Sequence, residues 1–256
     1  MLHEHDPQWS VSAMADALQS ADAVIAMTDY EIERLVEAYH VPREKIFLGS
    51  AGIDPDESIH WDARPRRVVF LGRKTRSKGI DLLIDAMRLV WQEIPDAELY
   101  LAGIRVPETK AIDDQVAALP VSWRRQVWDL DQVSDEQKIL LLRSAYCVVL
   151  PSRTESFGMV LLDAWAHGTP VVVWDFPVFR GIVAAGIDGV LADPARPTSL
   201  AEAILQLLRA PTVAEQMGRT GHAKVKCGYS WESVATRYLQ AYEYAIRHCP
   251  VVGTSS

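Results

Sequence analysis

Residues 146–174 read YCVVLPSRTESFGMVLLDAWAHGTPVVVW. Two apolar runs, YCVVL and PVVVW, are too short for helices and rich in β-branched valine, so each reads as a strand. Neither alternates apolar with polar residues, which is the pattern of strands covered on both faces. Between them Pro151 ends the first run, a polar loop follows, and FGMVLLDAWAHG reads as a helix with Gly168 where a helix C-terminal glycine belongs. Strand, helix and strand in this order form a βαβ unit with parallel strands.

The same alternation continues on the N-terminal side: RVVFLG, GIDLLIDAMRLVWQEI, ELYLAG, then SDEQKILLLRSA. Leu83, Met87, Val90 and Ile94 fall on one helical face, with Asp81, Asp85, Arg88 and Gln92 elsewhere. Ser134 with Gln137, and Ser199 with Glu202, both fit a capping box. The expected fold is therefore α/β, a doubly wound parallel sheet with helices on both faces. Such sheets bind ligands beyond the carboxyl ends of their strands, where LGRKTRSKG, LAGIRVP and LPSRTESFG all fall.

The first residues differ. ADAVIAMT reads as one buried strand, DYEIERLVEAYHV as a helix and IFLGSAGID as a short strand into a glycine turn, too little for a core. The polar stretch DPDESIHWDARPR reads as a linker. The strand around Val24 is expected to be orphaned, with an exposed edge and an apolar patch that invites self-association or a partner.

At 256 residues, 49% hydrophobic and 23% charged, the chain has the composition of an ordinary globular protein, long enough for one large domain or two small ones. The formal charge of −8 argues against nucleic acid as a partner. Cys147, Cys227 and Cys249 follow no metal-ligand or C-x-x-C pattern, which suits a reducing, cytoplasmic setting. The N-terminus lacks the marks of a signal peptide, and no apolar run approaches the ~20 residues that span a bilayer. Peripheral contact at the inner membrane face stays compatible with this.

A helix opening near Ser156 to Gly158 points unpaired N–H groups and the positive end of its dipole at the binding edge, which suits phosphate or sugar oxygens. Gly158 allows close backbone approach. Glu155 sits at the mouth, able to accept bonds from hydroxyl groups, and Asp163 follows about two turns later on the same side. Each carboxylate also has a plainer reading, as a favourable cap and as a solvated helix residue. In GRKTRSKG, Arg73 and Lys78 lie beside a helix start and suit a diphosphate, whereas Lys74 and Arg76 read as a solvated basic turn. The loop is neither a Walker loop nor a G-x-G-x-x-G fingerprint. His167 reads as a helix C-terminal histidine on the dipole. His3 and His5, with Glu4 and Asp6, only superficially suggest a metal cluster, and Trp174, Phe176 and Phe179 read as core aromatics. No G-x-S-x-G elbow or H-E-x-x-H pair is present.

Taken in order, FLGRKTRSKGIDLLIDA, LYLAG, LLLRSAYCVVLPSRTESFGMVLLDAWAHGTPVV and GIDGVLADPARPTSLAEAILQLL closely resemble the C-terminal, donor-binding domain of retaining GT-B glycosyltransferases, over about residues 22–247. The resemblance implies a Rossmann-like donor domain at 67–228, a linker at 55–66, the trailing part of the N-terminal acceptor domain at 1–54, and a crossover helix at 229–248. It gives Arg73 and Lys78 the donor diphosphate and counts Gly72, at the head of their loop, with the donor set. It makes Glu155 the first carboxylate of an E-x7-E motif on the donor sugar, with Ser156, Phe157 and Gly158 supplying backbone contacts. Asp163 stands where the second glutamate, a ribose contact, would be, one methylene short. Where relatives carry a glycine-rich loop with a Pro-Glu pair, this chain has DFPVFRGIVAAG.

The implied reaction moves a sugar from a UDP-, GDP- or ADP-linked donor to a sugar, lipid or small-molecule acceptor with retention. Glu155, Arg73 and Lys78 carry it, and no metal or other cofactor is called for. The alternative is a non-catalytic nucleotide-sugar-binding module or subunit, and a sugar-nucleotide epimerase of similar architecture is a third class. With only the trailing edge of an acceptor half recognised, the chain is expected to be a fragment of a longer enzyme, one polypeptide of a split enzyme or a degenerate relative, with an N-terminal-domain partner or self-association as the alternatives for completing it.

Overall fold

The protein is described by a computed structural model covering residues 11–61 and 64–248. His3, Glu4, His5, Asp6 and Cys249 lie outside the described residues. The chain forms two compact units: residues up to Gly52 together with those from Gly228 onward, and Ile53–Cys227.

The first unit begins with α1 (Val11–Ser20), β1 (Val24–Ala26), α2 (Asp29–Tyr39) and β2 (Ile46–Leu48). The strand at Val24 is not orphaned, because β1 pairs in parallel with β2, Val24 opposite Ile46. The helix α2 starts where Thr28 Oγ1 accepts from Glu31 N at 3.0 Å while Glu31 Oε2 accepts from Met27 N at 2.7 Å, a reciprocal cap. Ile32, Leu35 and Tyr39 on its inner face join Val24, Ala26, Val41 and Ile46 in a small core.

The second unit runs β3 (Arg67–Leu71), α3 (Ile80–Glu93), β4 (Glu98–Ala102), α4 (Thr109–Ala117), α5 (Val121–Arg124), β5 (Val127–Leu130), α6 (Asp135–Ser144), β6 (Cys147–Leu150), α7 (Met159–Ala166), β7 (Val171–Trp174), α8 (Pro177–Arg180), β8 (Gly189–Ala192), α9 (Ser199–Arg209) and α10 (Pro211–Gly228). Its sheet has the order β5-β4-β3-β6-β7-β8, with every pairing parallel. The chain winds outward from β3 to β5, then returns to lay β6 against β3 before winding the other way. Helices cover both faces, and the strand residues Val68–Phe70, Cys147–Val149 and Val171–Val173 have no exposed surface. The expected face of α3 is buried, Leu83, Met87 and Val90 fully and Ile94 nearly so. The last helix, α11 (Trp231–His248), belongs to the first unit and packs on β2 and β1. None of the described helices is long and apolar enough to cross a membrane.

Two local readings are corrected. The box at Ser134 and Gln137 forms as expected, but the one at Ser199 does not. There Thr198 takes the N-cap position without a side-chain bond to the helix backbone, its Oγ1 donating to Glu202 Oε1 at 2.7 Å, while the buried Ser199 hydroxyl donates to Asp193 O at 2.6 Å. The turn from Asp193 captures that hydroxyl, and the helix starts without a side-chain cap. The polar stretch read as a linker lies on the second unit: Asp56 N donates to Ala166 O at 3.0 Å, Trp61 Nε1 donates to Gly168 O at 2.8 Å, and Asp56 O bonds His222 Nε2 at 2.8 Å.

The loops after β3 and β6 meet backbone to backbone. Gly79 adopts φ 73°, and a Cβ there would sit 1.9 Å from Pro151 O. At Gly186 φ is also left-handed, 74°, yet nothing lies within 4 Å of a Cβ. The comparison separates steric from conformational cost. Gly186→Ala should carry only the left-handed penalty of about 1 kcal/mol and lower the melting temperature by roughly 3 °C. Gly79→Ala must also part the two loops, and calorimetry should show a drop of about 10 °C or more.

Candidate functional site

In a parallel sheet wound in both directions, the crevice opens where the strand order reverses, here between β3 and β6. The loops leaving those strands, 72–79 and 151–158, form its two walls. Most of the residues singled out in the sequence lie on them.

The first wall is anchored from below by Lys74. Read as part of a solvated turn, Lys74 instead has no exposed surface. Its ammonium group is held by the Asp129 carboxylate and the Leu130 carbonyl of β5, and its backbone by Ile104 O at 3.0 Å and Thr109 Oγ1 at 3.0 Å. A buried cation needs such partners. With Lys74 turned inward, its neighbour Arg73 is exposed, and no ion pair involves it among the described residues. Arg76–Lys78 form a single 3-10 turn, and Gly79 opens α3 with no side-chain cap.

The second wall is tied to the first. Arg153 N donates to Ser77 O at 2.8 Å, and the Arg153 guanidinium grips Asp81 in α3 through two bonds of 2.8 and 2.9 Å. Burial lifts the Asp81 carboxyl, but the Arg153 bonds outweigh it and hold the group below its ordinary range. Trp174 Nε1 donates to Pro151 O at 2.9 Å, fixing the point where β6 ends. Trp174 and Phe179 are buried, as expected of core aromatics.

Across the crevice, Lys78 Nζ meets Glu155 Oε2 at 2.6 Å, with side chains 19% and 12% exposed. The structure thus brings two of the three candidate catalytic residues into direct contact. Gly72 begins the first wall and is half-buried. Ser156 is exposed, Phe157 is buried as a plug under the loop, and Gly158 opens α7 at φ 89° with no side-chain cap. The first N–H groups of α3 and α7 are left without side-chain caps, beside a cation that already holds a carboxylate. Asp163 stands apart from this group: Lys138 of α6 binds its Oδ1 at 3.2 Å. Arg153 is a supporting residue that the loop composition does not single out, and Lys74 and Trp174, read as a turn residue and a core aromatic, also brace the walls. Among the described residues no cluster of three or more His, Cys, Asp or Glu could hold a metal ion.

His167 ends α7, as expected, but its Nδ1 bonds Asp56 Oδ2 at 2.8 Å. That places it beyond the opposite, amino ends of the strands.

Comparison with known proteins places the chain in a family. Residues 55–224 match the family described as Glycosyl transferases group 1. The chain is 30% identical over 241 residues to a D-inositol 3-phosphate glycosyltransferase of Segniliparus rotundus, an alignment covering 89% of this chain and 53% of that protein. A sucrose-phosphate synthase from Thermosynechococcus elongatus superposes with a TM-score of 0.78 at 26% identity, over 92% of this chain and 61% of that one. HepE of Anabaena, solved in complex with UDP-glucose, superposes with a TM-score of 0.75 at 21% identity, over 92% and 66%. The chain spans about half the length of the curated relatives it matches. On a match extending over residues 55–224 and a six-stranded parallel sheet that superposes on GT-B structures, the chain belongs to the Glycosyl transferases group 1 family.

Proposed function

We propose that this chain is the donor-binding half of a glycosyltransferase that moves a sugar from a nucleotide diphosphate, UDP-, GDP- or ADP-linked, to a sugar, lipid or small-molecule acceptor with retention of anomeric configuration. The observation that carries this reading is the Lys78–Glu155 pair, 2.6 Å apart between two uncapped helix starts at the reversal of the sheet. A diphosphate entering the crevice competes with Glu155 for Lys78 and gains the unpaired Arg73 and the helix N–H groups. Glu155, released from Lys78, accepts hydrogen bonds from the donor sugar. As the bond from the anomeric carbon to the diphosphate oxygen breaks, the departing group gains charge that the same cations and amides already face. They do the work a metal ion does elsewhere, so the reaction should proceed in the presence of a chelator.

The relatives' names support a sugar transfer, and HepE's complex with UDP-glucose is a precedent for the donor class on this fold. The acceptor half is supplied by a partner or by further chain. On the first unit, α11 leaves Trp231, Leu239, Tyr242 and Ile246 exposed at helical spacing, a face suited to receive it. The setting we assign is the cytoplasm. A second reading, a donor-binding module without turnover, draws on Asp163: one methylene shorter than the glutamate the resemblance implies, it is drawn towards Lys138 of α6 through Oδ1 at 3.2 Å.

Calorimetry of the chain with UDP-, GDP- and ADP-sugars should show one preferred donor, and transfer should appear when the acceptor half is supplied. Lys78→Ala and Glu155→Gln should each lower that transfer at least a hundredfold, Lys78→Ala also weakening donor binding. Near-normal turnover by both variants would remove the assignment, and binding without turnover in every pairing would establish the module.

Arg153 positions the second wall without touching a donor. Arg153→Ala should raise hydrogen exchange across 72–79 and 151–158 and weaken donor binding about tenfold, while Arg153→Lys recovers part of both. Because the Asp81 carboxyl is held below its unfolded value of about 3.9, the brace stabilises fully above that pH. Its contribution is lost as pH falls through the depressed folded value. Acid titration of wild type and Asp81→Asn should therefore converge at low pH.

A further inference from the structure

Two adjacent cations on the first wall face opposite ways: Lys74 is fully buried and Arg73 is exposed. Residues 73 and 74 belong to no helix or strand, so no regular element dictates which of them turns in. The backbone of Lys74 is committed to the inward arrangement, its N–H donating to Ile104 O at 3.0 Å and its carbonyl accepting from Thr109 Oγ1 at 3.0 Å. Bringing the Lys74 side chain out to water would break both bonds and lift the loop that carries Arg73.

Charge keeps it in. The Lys74 ammonium is held by Asp129 Oδ1 and Leu130 O. Asp129 Oδ2 accepts from Arg105 at 2.5 Å, and Arg105 is held in turn by Asp113 of α4. Two cations thus alternate with two acids, Lys74–Asp129–Arg105–Asp113, in a neutral ladder that joins the loop after β3 to the end of β5, the loop after β4 and α4. Every other acceptor or donor on Lys74 is neutral, and among the described residues Asp129 is the only carboxylate within ion-pair distance of it. A fully buried ammonium stripped of its one counter-charge is driven towards water. Turning Arg73 in to replace it offers no relief, because the same site would again hold a cation without its acid.

We propose that Asp129 is a positioning residue for donor binding: by holding Lys74 inside, it keeps the first wall down and Arg73 facing the crevice, without itself touching a donor. The effect on a donor rests on the donor-binding reading of the crevice, whereas the direction of Lys74 does not. Charge rather than shape is decisive, since an apolar residue at position 74 would stay buried with or without Asp129.

The test compares wild type, Asp129→Asn, Lys74→Met and Lys74→Met/Asp129→Asn as whole chains. Calorimetry with UDP-, GDP- and ADP-glucose reads donor affinity, while amine acylation with peptide mapping and hydrogen exchange read the loop itself. Lys74 should resist acylation in wild type and react in Asp129→Asn. In that variant exchange should rise across 72–79 and stay unchanged in β6 and β7, which a general loss of stability would not leave untouched. Donor affinity should fall by about tenfold or more in Asp129→Asn and return to within about twofold of wild type in the double variant and in Lys74→Met. A direct contact between Asp129 and the donor would allow no such rescue. If Asp129→Asn melts below the assay temperature, Arg105→Gln, which removes only the second bond to Asp129, takes its place with the same pattern in smaller measure. Lys74 unreactive in the folded variant, or a double variant as weak as Asp129→Asn alone, would overturn the proposal. No binding of any of the three sugars by wild type would refute the donor reading instead, and acylation and exchange would still decide whether Asp129 holds Lys74 in.

Discussion

Strands β3 and β6 lie side by side although two other strands come between them in the chain, and this reversal sets where ligand chemistry can occur. Parallel strands deliver their loops to one rim, and neighbouring crossover helices cover both faces, so only at a reversal do two adjacent loops diverge and leave a crevice. The walls cannot drift apart, because Gly79 lies against the Pro151 carbonyl and Arg153 spans to Asp81. Trp174 adds a constraint from below by holding the same Pro151 carbonyl. The functional side chains are thus mounted on loops but positioned by the sheet, the arrangement in which loop chemistry can vary over a rigid scaffold.

The two rims divide the ionisable groups by function. At the carboxyl-end rim, Lys74 is sunk onto Asp129 and Leu130 O, which frees the loop above it to present Arg73 and Lys78. At the amino-end rim, Asp56, Arg143 and His167 bind the segment before β3 down onto α6 and α7. The helix α7 joins them. Gly158 opens it at the crevice and His167 ends it at the opposite rim, with eight helical residues, about 12 Å of helix, between them.

Much of this was legible because it depends on local pattern. Unbroken valine-rich runs could only be strands covered on both sides, and the polar loops after RVVFL and YCVVL had to fall on one rim. From that placement followed Lys78 and Glu155, seventy-seven positions apart in sequence and bonded in the structure. What could not be read depended on direction or on partners distant in sequence. Nothing in GRKTRSKG says that Lys74 turns in while Arg73 turns out, since the deciding acid, Asp129, sits on a strand two crossovers away. That strand, β5, escaped notice because VWDL is only four residues long and carries a charged residue, Asp129. It is a sheet edge, and Trp128 there stacks on Tyr100 at 5.6 Å with Arg67 over the same ring. The stretch 55–66 has a linker's composition, yet Asp56 and Trp61 bind it to the second unit through residues more than a hundred positions on.

The closed Lys78–Glu155 pair bears on how the crevice can work. Both side chains are more than four-fifths shielded from water, so leaving either unpaired is expensive, whereas the pair itself adds little net stability. A neutral sugar therefore cannot open it, because it would strand Lys78 without a counter-charge. An anion can, since a diphosphate brings more negative charge to Lys78 than the carboxylate it replaces, and Arg73 stands ready to share it. On the proposed reading Glu155 would be released only when a diphosphate is in place, and it would then need new donors, which the hydroxyl groups of an attached sugar can provide. On that reading, phosphate binding would make the Glu155 carboxylate available to the sugar, a physical reason for such a site to favour the intact nucleotide sugar over either of its parts.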